Sequence, residues 1–238
     1  MATPRDADPA PVRVGVLVFP GSNDADDLAG AFARLGAEVA MVWHKDARLP
    51  EGLAGLGVPG GFSYGDYLRA GAMARFSPVM RALAEHVRSG RPVIGICNGF
   101  QILCEAGLLP GALVRNRDLR FLCCDVSTEV VDPGLLSRGL AAGARLELPI
   151  KHGQGAYVPD AARPPRVALR YRGPNPNGSI DDIAGVLSSE GNVLGLMPHP
   201  EHAVDPLLGA PAEGRAASTD GARLLRSFLE LCAQRKAA

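Results

Sequence analysis

Short apolar runs alternate with amphipathic stretches along the first hundred residues. Arg13 to Phe19 (RVGVLVF) is rich in β-branched side chains and closes on Pro20-Gly21, which predicts a buried strand. Asn23 or Asp24 is placed to cap a following helix, whose first turn carries Asp26 and Asp27 and which runs to about Leu35, where Gly36 ends it. Ala37 to Val42 predicts a second strand, and strand, helix and strand at this spacing form a crossover unit with parallel pairing. Ser77 is placed as a cap with Pro78 at the first helical position, and Val79, Met80, Leu83, Ala84 and Val87 line one face of that helix, which Gly90 ends. His86 falls on the polar side of that helix and is expected in solvent. Pro92 to Ile96 is again a short apolar run, followed by Cys97-Asn98-Gly99 and a helical pattern to about Ala106. The second half reads as strands at Leu119 to Val126, Arg145 to Ile150, Val167 to Tyr171, Ile183 to Leu187 and Val193 to Met197. An amphipathic helix from about Asp220 to Gln234 closes the chain, after an Ala-, Gly- and Pro-rich segment, Ala203 to Thr219, expected to be a mobile surface loop. The pattern predicts one α/β domain over residues 12–238, with a central, largely parallel sheet flanked by helices, behind a flexible tail at 1–11.

Composition narrows the function classes. Of 238 residues, 47% are hydrophobic and 21% charged, enough to bury a real core, which excludes a disordered or fibrous chain. Lys+Arg and Asp+Glu both number 25, so the basic excess of a nucleic-acid binder is missing. No stretch approaches the ~20 apolar residues of a membrane span. Met1 to Pro11 carries Asp6, Asp8 and three prolines where a secretion signal would carry an apolar block, so a cytoplasmic location is expected. Five cysteines, none in a C-x-x-C pair, favour neither a disulfide framework nor a structural zinc site, and no metal is expected. Nor does the chain carry a G-x-x-x-x-G-K-[ST] phosphate loop, so no ATP site is expected in it.

Candidate chemistry gathers at three places. In Gly95-Ile96-Cys97-Asn98-Gly99-Phe100-Gln101 a cysteine sits between a strand and a helix, with glycines two residues before and after it. A tight strand-to-helix turn of this kind holds a nucleophile at the carboxyl edge of a sheet, and the helix N-terminus favours its thiolate. Cys104, Cys123, Cys124 and Cys232 have no such setting and read as structural thiols. A cysteine nucleophile needs a base and the base an orienting group. Of the five histidines, His199 follows directly on a predicted strand, is flanked by Pro198 and Pro200, and has Glu201 two residues on, on the same side of an extended backbone. The third place is Pro59-Gly60-Gly61-Phe62-Ser63-Tyr64-Gly65-Asp66, whose glycines after a short strand let backbone N–H groups face a cleft.

Together these residues resemble the class I, triad-type glutamine amidotransferases. That family's G-x-C-x-G-x-Q is matched by Gly95, Cys97, Gly99 and Gln101, and its H-x-E by His199 and Glu201. More narrowly, PGGFSYGDYLRAGA (Pro59 to Ala72), GICNGFQIL (Gly95 to Leu103), NPNGS (Asn175 to Ser179) and MPHPE (Met197 to Glu201) are similar to the glutaminase subunits of phosphoribosylformylglycinamidine synthases, over about residues 12–235. The resemblance implies a flavodoxin-like fold and a Cys97–His199–Glu201 triad that releases ammonia from glutamine. It implies an oxyanion hole from the backbone N–H of Asn98 and one of Gly61 or Phe62, and Gln101 in the glutamine pocket. It also implies no cofactor in this chain. ATP and Mg would be used by a large synthetase subunit, with a small dimeric subunit bridging the two, and glutaminase activity would be low until the subunits assemble. The chain departs from the family at Gln154 and Ala156, where H-G-E-G-R is usual, at His202, where arginine is common, and at Ala70, where cysteine is common. None is expected to touch the triad. Two other readings share part of the pattern: a subunit feeding ammonia to a different acceptor, and a cysteine-elbow α/β hydrolase, which would need neither Gln101 nor the His199–Glu201 pair. A docking module that has lost its activity is a third, opposed by the intact Cys97, His199 and Glu201.

Overall fold

A computed structural model describes residues 11–207 and 218–236. The expected tail therefore lies outside the described residues except at Pro11, as does most of the expected loop, at 208–217. Five strands pair in parallel in the order β2 (Glu38–Trp43), β1 (Arg13–Val18), β3 (Gly55–Val58), β4 (Val93–Ile96) and β11 (Val193–Leu196). Beyond β11 the sheet continues in antiparallel pairing through β10 (Ile183–Leu187), β9 (Arg166–Arg172), β6 (Leu122–Val130) and β7 (Arg145–His152). The parallel sheet expected from the crossover pattern is thus joined along β11 to an antiparallel half built from the strand-rich second part of the chain. β5 (Ala112–Val114) and β8 (Ala156–Val158) form a separate two-stranded ribbon.

Helices cover both faces of the parallel half. Side chains of adjacent residues in a strand point to opposite faces, so Gly57, which faces Leu28 and Phe32 of α1 (Ala25–Arg34), and Gly95, which faces Leu103 of α3 (Asn98–Glu105), mark two different layers. The last helix, α4 (Asp220–Lys236), joins α1, with Phe32 stacked on Phe228 at 5.9 Å between ring centroids. Fully burying one such aromatic is worth ~1.5–3 kcal/mol. Strands β3, β4 and β11 are buried along their whole length.

Several expectations are corrected at element ends. Asp24 stands at the N-cap of α1 but makes no cap hydrogen bond, because its carboxylate is taken by stronger, charged partners described below. Ser77 likewise does not cap α2 (Val79–Arg88), since its hydroxyl meets Tyr64. His86 is buried, not solvated: α2 presents it inward beside Val79, Met80, Ala82 and Leu83. Strand β6 begins three residues later than expected, because Leu119 adopts φ 57° in a turn closed by its N–H on the Asn116 carbonyl. Ala203, expected in a surface loop, is buried and accepts a hydrogen bond from the Ala222 amide.

Candidate active site

The register of the parallel strands decides which residues meet. Ile96 pairs with Leu196 and Val58 with Gly95, so β3, β4 and β11 end level with one another. Ligands of open α/β sheets bind outside such carboxyl ends. Here the chain leaves β3 through Pro59–Asp66, β4 through Cys97 and β11 through Met197–Glu201.

Cys97 adopts φ 48° and ψ −103°, a strained conformation for a residue with a side chain, between the end of β4 and the first turn of α3. Two glycines make the turn possible. A Cβ on Gly99 would fall on the Val58 carbonyl oxygen, and one on Gly95 would press on Gly99. The thiol is 5% exposed, and its sulfur lies 3.9 Å from the Lys151 carbonyl oxygen.

His199 and Glu201 reach the same place from β11. The N–H of His199 is anchored on the Pro149 carbonyl of β7, and Pro200–His202 form a short 3-10 turn. That turn, not the extended backbone expected from the i, i+2 spacing, brings Oε1 of Glu201 to 2.7 Å from Nδ1 of His199. Both side chains are buried. Among the described residues the imidazole Nε2 is buried without a hydrogen-bond partner. Burial alone would lower the His199 pKa, but the charges of Glu201 and Cys97 and the hydrogen bond to Glu201 outweigh it and raise it. The imidazole is therefore built to carry a positive charge beside the Cys97 side chain.

The glycine loop is locked in place by α3 and by a buried polar cluster. The Asn98 side chain accepts the Ser63 amide at 3.0 Å and donates to Gln101 Oε1 at 2.9 Å. The Tyr64 hydroxyl lies 2.7 Å from Nδ1 of His44 and 2.9 Å from the Ser77 hydroxyl. Of the two sequence candidates for the second oxyanion donor, Phe62 is excluded in this conformation: its N–H donates to the Gly21 carbonyl at 2.7 Å. The amides of Gly61 and of Asn98, which opens α3, meet no acceptor among the described residues.

Gln101 lines the cavity over Cys97, but its side-chain nitrogen donates to the Gln154 carbonyl at 2.5 Å, so it also ties helix α3 to the loop after β7. That loop is held further by Asn116, whose Oδ1 meets Nδ1 of His152 and the Gly155 amide at 3.0 Å each, and by Asn177, which donates to the Gly155 carbonyl. The NPNGS string thus acts as a support for the pocket wall. His152 is buried on the cavity and held neutral, its pKa pushed down to about 4 by burial and by the His199 charge.

Three residues at the site were not expected there. Asp24 is buried, with Oδ1 2.5 Å from the Lys151 ammonium and Oδ2 3.7 Å from Nδ1 of His199. Burial would raise its pKa, but the nearby His202, the Lys151 hydrogen bond and the charge of His199 lower it strongly. His202 corrects the expectation that the departures avoid the triad: its ring centroid is 5.3 Å from that of His199, and its Nε2 is 3.6 Å from both Asp24 and Glu201. Asp24, His199, Glu201 and His202 bring donor atoms within 4.8 Å of one another, a set able to hold a metal ion. The Lys151 ammonium already sits on Oδ1 of Asp24.

The cavity above the thiol measures about 360 Å³, a volume suited to a small polar molecule. Phe62 and Phe121, both half-exposed and 6.4 Å apart between centroids, form its rim.

Comparison with known proteins identifies the family of the chain. Residues 11–228 match the family described as the CobB/CobQ-like glutamine amidotransferase domain. The phosphoribosylformylglycinamidine synthase subunit PurQ of Frankia casuarinae is 52% identical over 86% of this chain and 91% of its own length. The same subunit of Rubrobacter xylanophilus is 52% identical over 92% of this chain and 98% of its own length. A chain in the solved structure of PurLQS from Thermotoga maritima superposes with a TM-score of 0.84 at 40% identity, over 92% of this chain and 98% of that one. The chain belongs to the glutamine amidotransferases, in the family of phosphoribosylformylglycinamidine synthase PurQ subunits.

Proposed function

We propose that this chain hydrolyses glutamine to glutamate and ammonia through Cys97, His199 and Glu201. The ammonia passes to a synthetase subunit for the ATP-dependent conversion of formylglycinamide ribonucleotide to formylglycinamidine ribonucleotide in purine biosynthesis. The observation that carries the mechanism is the convergence of a strained cysteine that lines the cavity, a buried imidazole of raised pKa beside it and a carboxylate 2.7 Å from that imidazole.

The Cys97 sulfur attacks the side-chain amide carbon of glutamine. His199 Nε2 carries the thiol proton and delivers it to the departing ammonia, leaving a γ-glutamyl thioester. Water, deprotonated by the same nitrogen, then releases glutamate. Glu201 holds the Nδ1 proton and stabilises the imidazolium. The Asn98 and Gly61 amides take the negative oxygen of each tetrahedral intermediate, and removing one such donor costs ~10²–10³ in kcat. Relatives that are subunits of a multi-subunit synthase support a large synthetase partner. We assign ATP and Mg to that partner, a bridging role to a small dimeric subunit, and the whole assembly to the cytoplasm. Among the described residues no helix is long and apolar enough to cross a membrane, which is compatible with that location.

The test is to label the protein with a glutamine-analogue electrophile, with and without excess glutamine, and to map the modified peptide. Modification at Cys97, suppressed by glutamine, is expected; modification elsewhere without protection overturns the reading. In the assembled synthase, Cys97→Ala is expected to abolish glutamine-dependent synthesis and to leave synthesis from added ammonia intact.

A further inference from the structure

The loop from β3 holds three consecutive residues in the left-handed region: Tyr64 at φ 54°, Gly65 at φ 69° and Asp66 at φ 53°. Non-glycine residues adopt this conformation rarely, and strain of this kind clusters where a side chain must be aimed at a ligand. The strain is sustained from outside the loop by the Tyr64 hydroxyl on His44 and Ser77 and by the Ser63 amide on Asn98. Its effect is to direct Asp66 into the cavity that contains Cys97.

Charge in that cavity does not balance. Its charged lining residues are Asp24, Asp66 and Lys151. Lys151 is committed to Asp24. Asp66 meets the Gly71 amide and, at 3.5 Å, the Asn98 side-chain nitrogen, but pairs with no Lys, Arg or His among the described residues. It is left as a half-buried carboxylate without a cation, and burial pushes its pKa up to about 6. An uncompensated buried charge of this sort is costly, and a ligand that brings the opposite charge relieves it.

We propose that Asp66 receives the α-ammonium group of the substrate, selecting an amino acid over any other carrier of a primary amide. This rests on the glutaminase reading and deepens it. Cys97 recognises only the amide end of the molecule, which many small amides share. The carboxylate of Asp66 reads the far end, where glutamine carries a cation and simple amides do not. Asp66 acts on binding and takes no part in proton transfer.

The experiment compares L-glutamine with glutaramate, the same chain without the amino group, as substrates of the assembled synthase, for the native chain and for Asp66→Asn. Asparagine tolerates the left-handed region well, so the loop is retained in the variant. Losing one charged contact to the substrate is expected to reduce kcat/KM for glutamine about 10- to 100-fold, chiefly through KM, and to leave glutaramate within roughly 3-fold. The preference for glutamine thereby collapses. An equal loss on both substrates, or an unchanged preference, overturns the assignment. A separate Cys97→Ala control divides the outcomes. If glutamine hydrolysis survives it, the glutaminase reading fails; if hydrolysis depends on Cys97 but the preference ignores Asp66, only this inference fails.

Discussion

Glu201 keeps one oxygen on Nδ1 of His199, while its second oxygen is buried without a partner among the described residues. Among the described residues nothing else in reach replaces it well: Asp24 stands 3.7 Å from the same nitrogen and is already engaged by Lys151. Glu201→Gln removes the negative charge and can leave the imidazole in the wrong tautomer. It is expected to lower kcat for glutamine by ~10³–10⁴ with little change in KM, as replacing the acid of a triad does elsewhere, while ammonia-dependent synthesis in the complex is retained. The ratio of the two activities measures it. The meeting of Cys97, His199 and Glu201 was legible in the sequence because its signals are local: a cysteine framed by glycines, a histidine framed by prolines with an acid two residues on. Asp24 was not legible as part of the site, because its partner Lys151 lies 127 residues away and the two meet only across the folded sheet. Phe62 failed as an oxyanion donor for a similar reason, since the destination of its N–H is a turn formed by a different strand exit.

At the level of elements, the cysteine turn is a contact between two backbones. Gly99 lets α3 start against the end of β3, where any side chain would meet the Val58 carbonyl. Gly99→Ala is expected to destabilise the fold by about 3 kcal/mol or more and to lower labelling at Cys97, both read from urea unfolding and substrate-analogue modification of the same preparation. The main strands and helices were legible from apolar runs and caps. The ribbon of β5 and β8 was not, because strands of three residues carry too few positions to show a period. Nor was His86, whose helix turns a polar residue inward: periodicity places a side chain on a face, but what covers that face is set by distant parts of the chain.

At the scale of the whole molecule, buried histidines tie stability to pH. Burial, aided by the Arg91 charge, pushes the His86 pKa down to about 4. The unfolded chain, with an ordinary histidine pKa, therefore binds a proton between about pH 6.5 and 4 that the folded chain refuses. Stability falls as pH falls through that window and levels off below it. Asp66 works in the opposite sense, since its raised pKa lets the folded state take up a proton first. His86→Gln isolates the histidine contribution. Relative to that variant, the native chain is expected to lose on the order of 2–3 kcal/mol between pH 7 and 4, read from urea midpoints; parallel curves for the two would contradict it.

The uneven placement of sulfur across the surface has a practical outcome. Cys123 and Cys124 lie exposed on β6, whereas Cys97 is recessed beneath a rim of two phenyl rings. A small, indiscriminate alkylating agent also reaches the outer pair, so counting modified thiols says little about catalysis. Only a reagent shaped to enter the recess reports on the nucleophile, and replacing both outer cysteines with serine would give a chain with a far quieter background for that measurement.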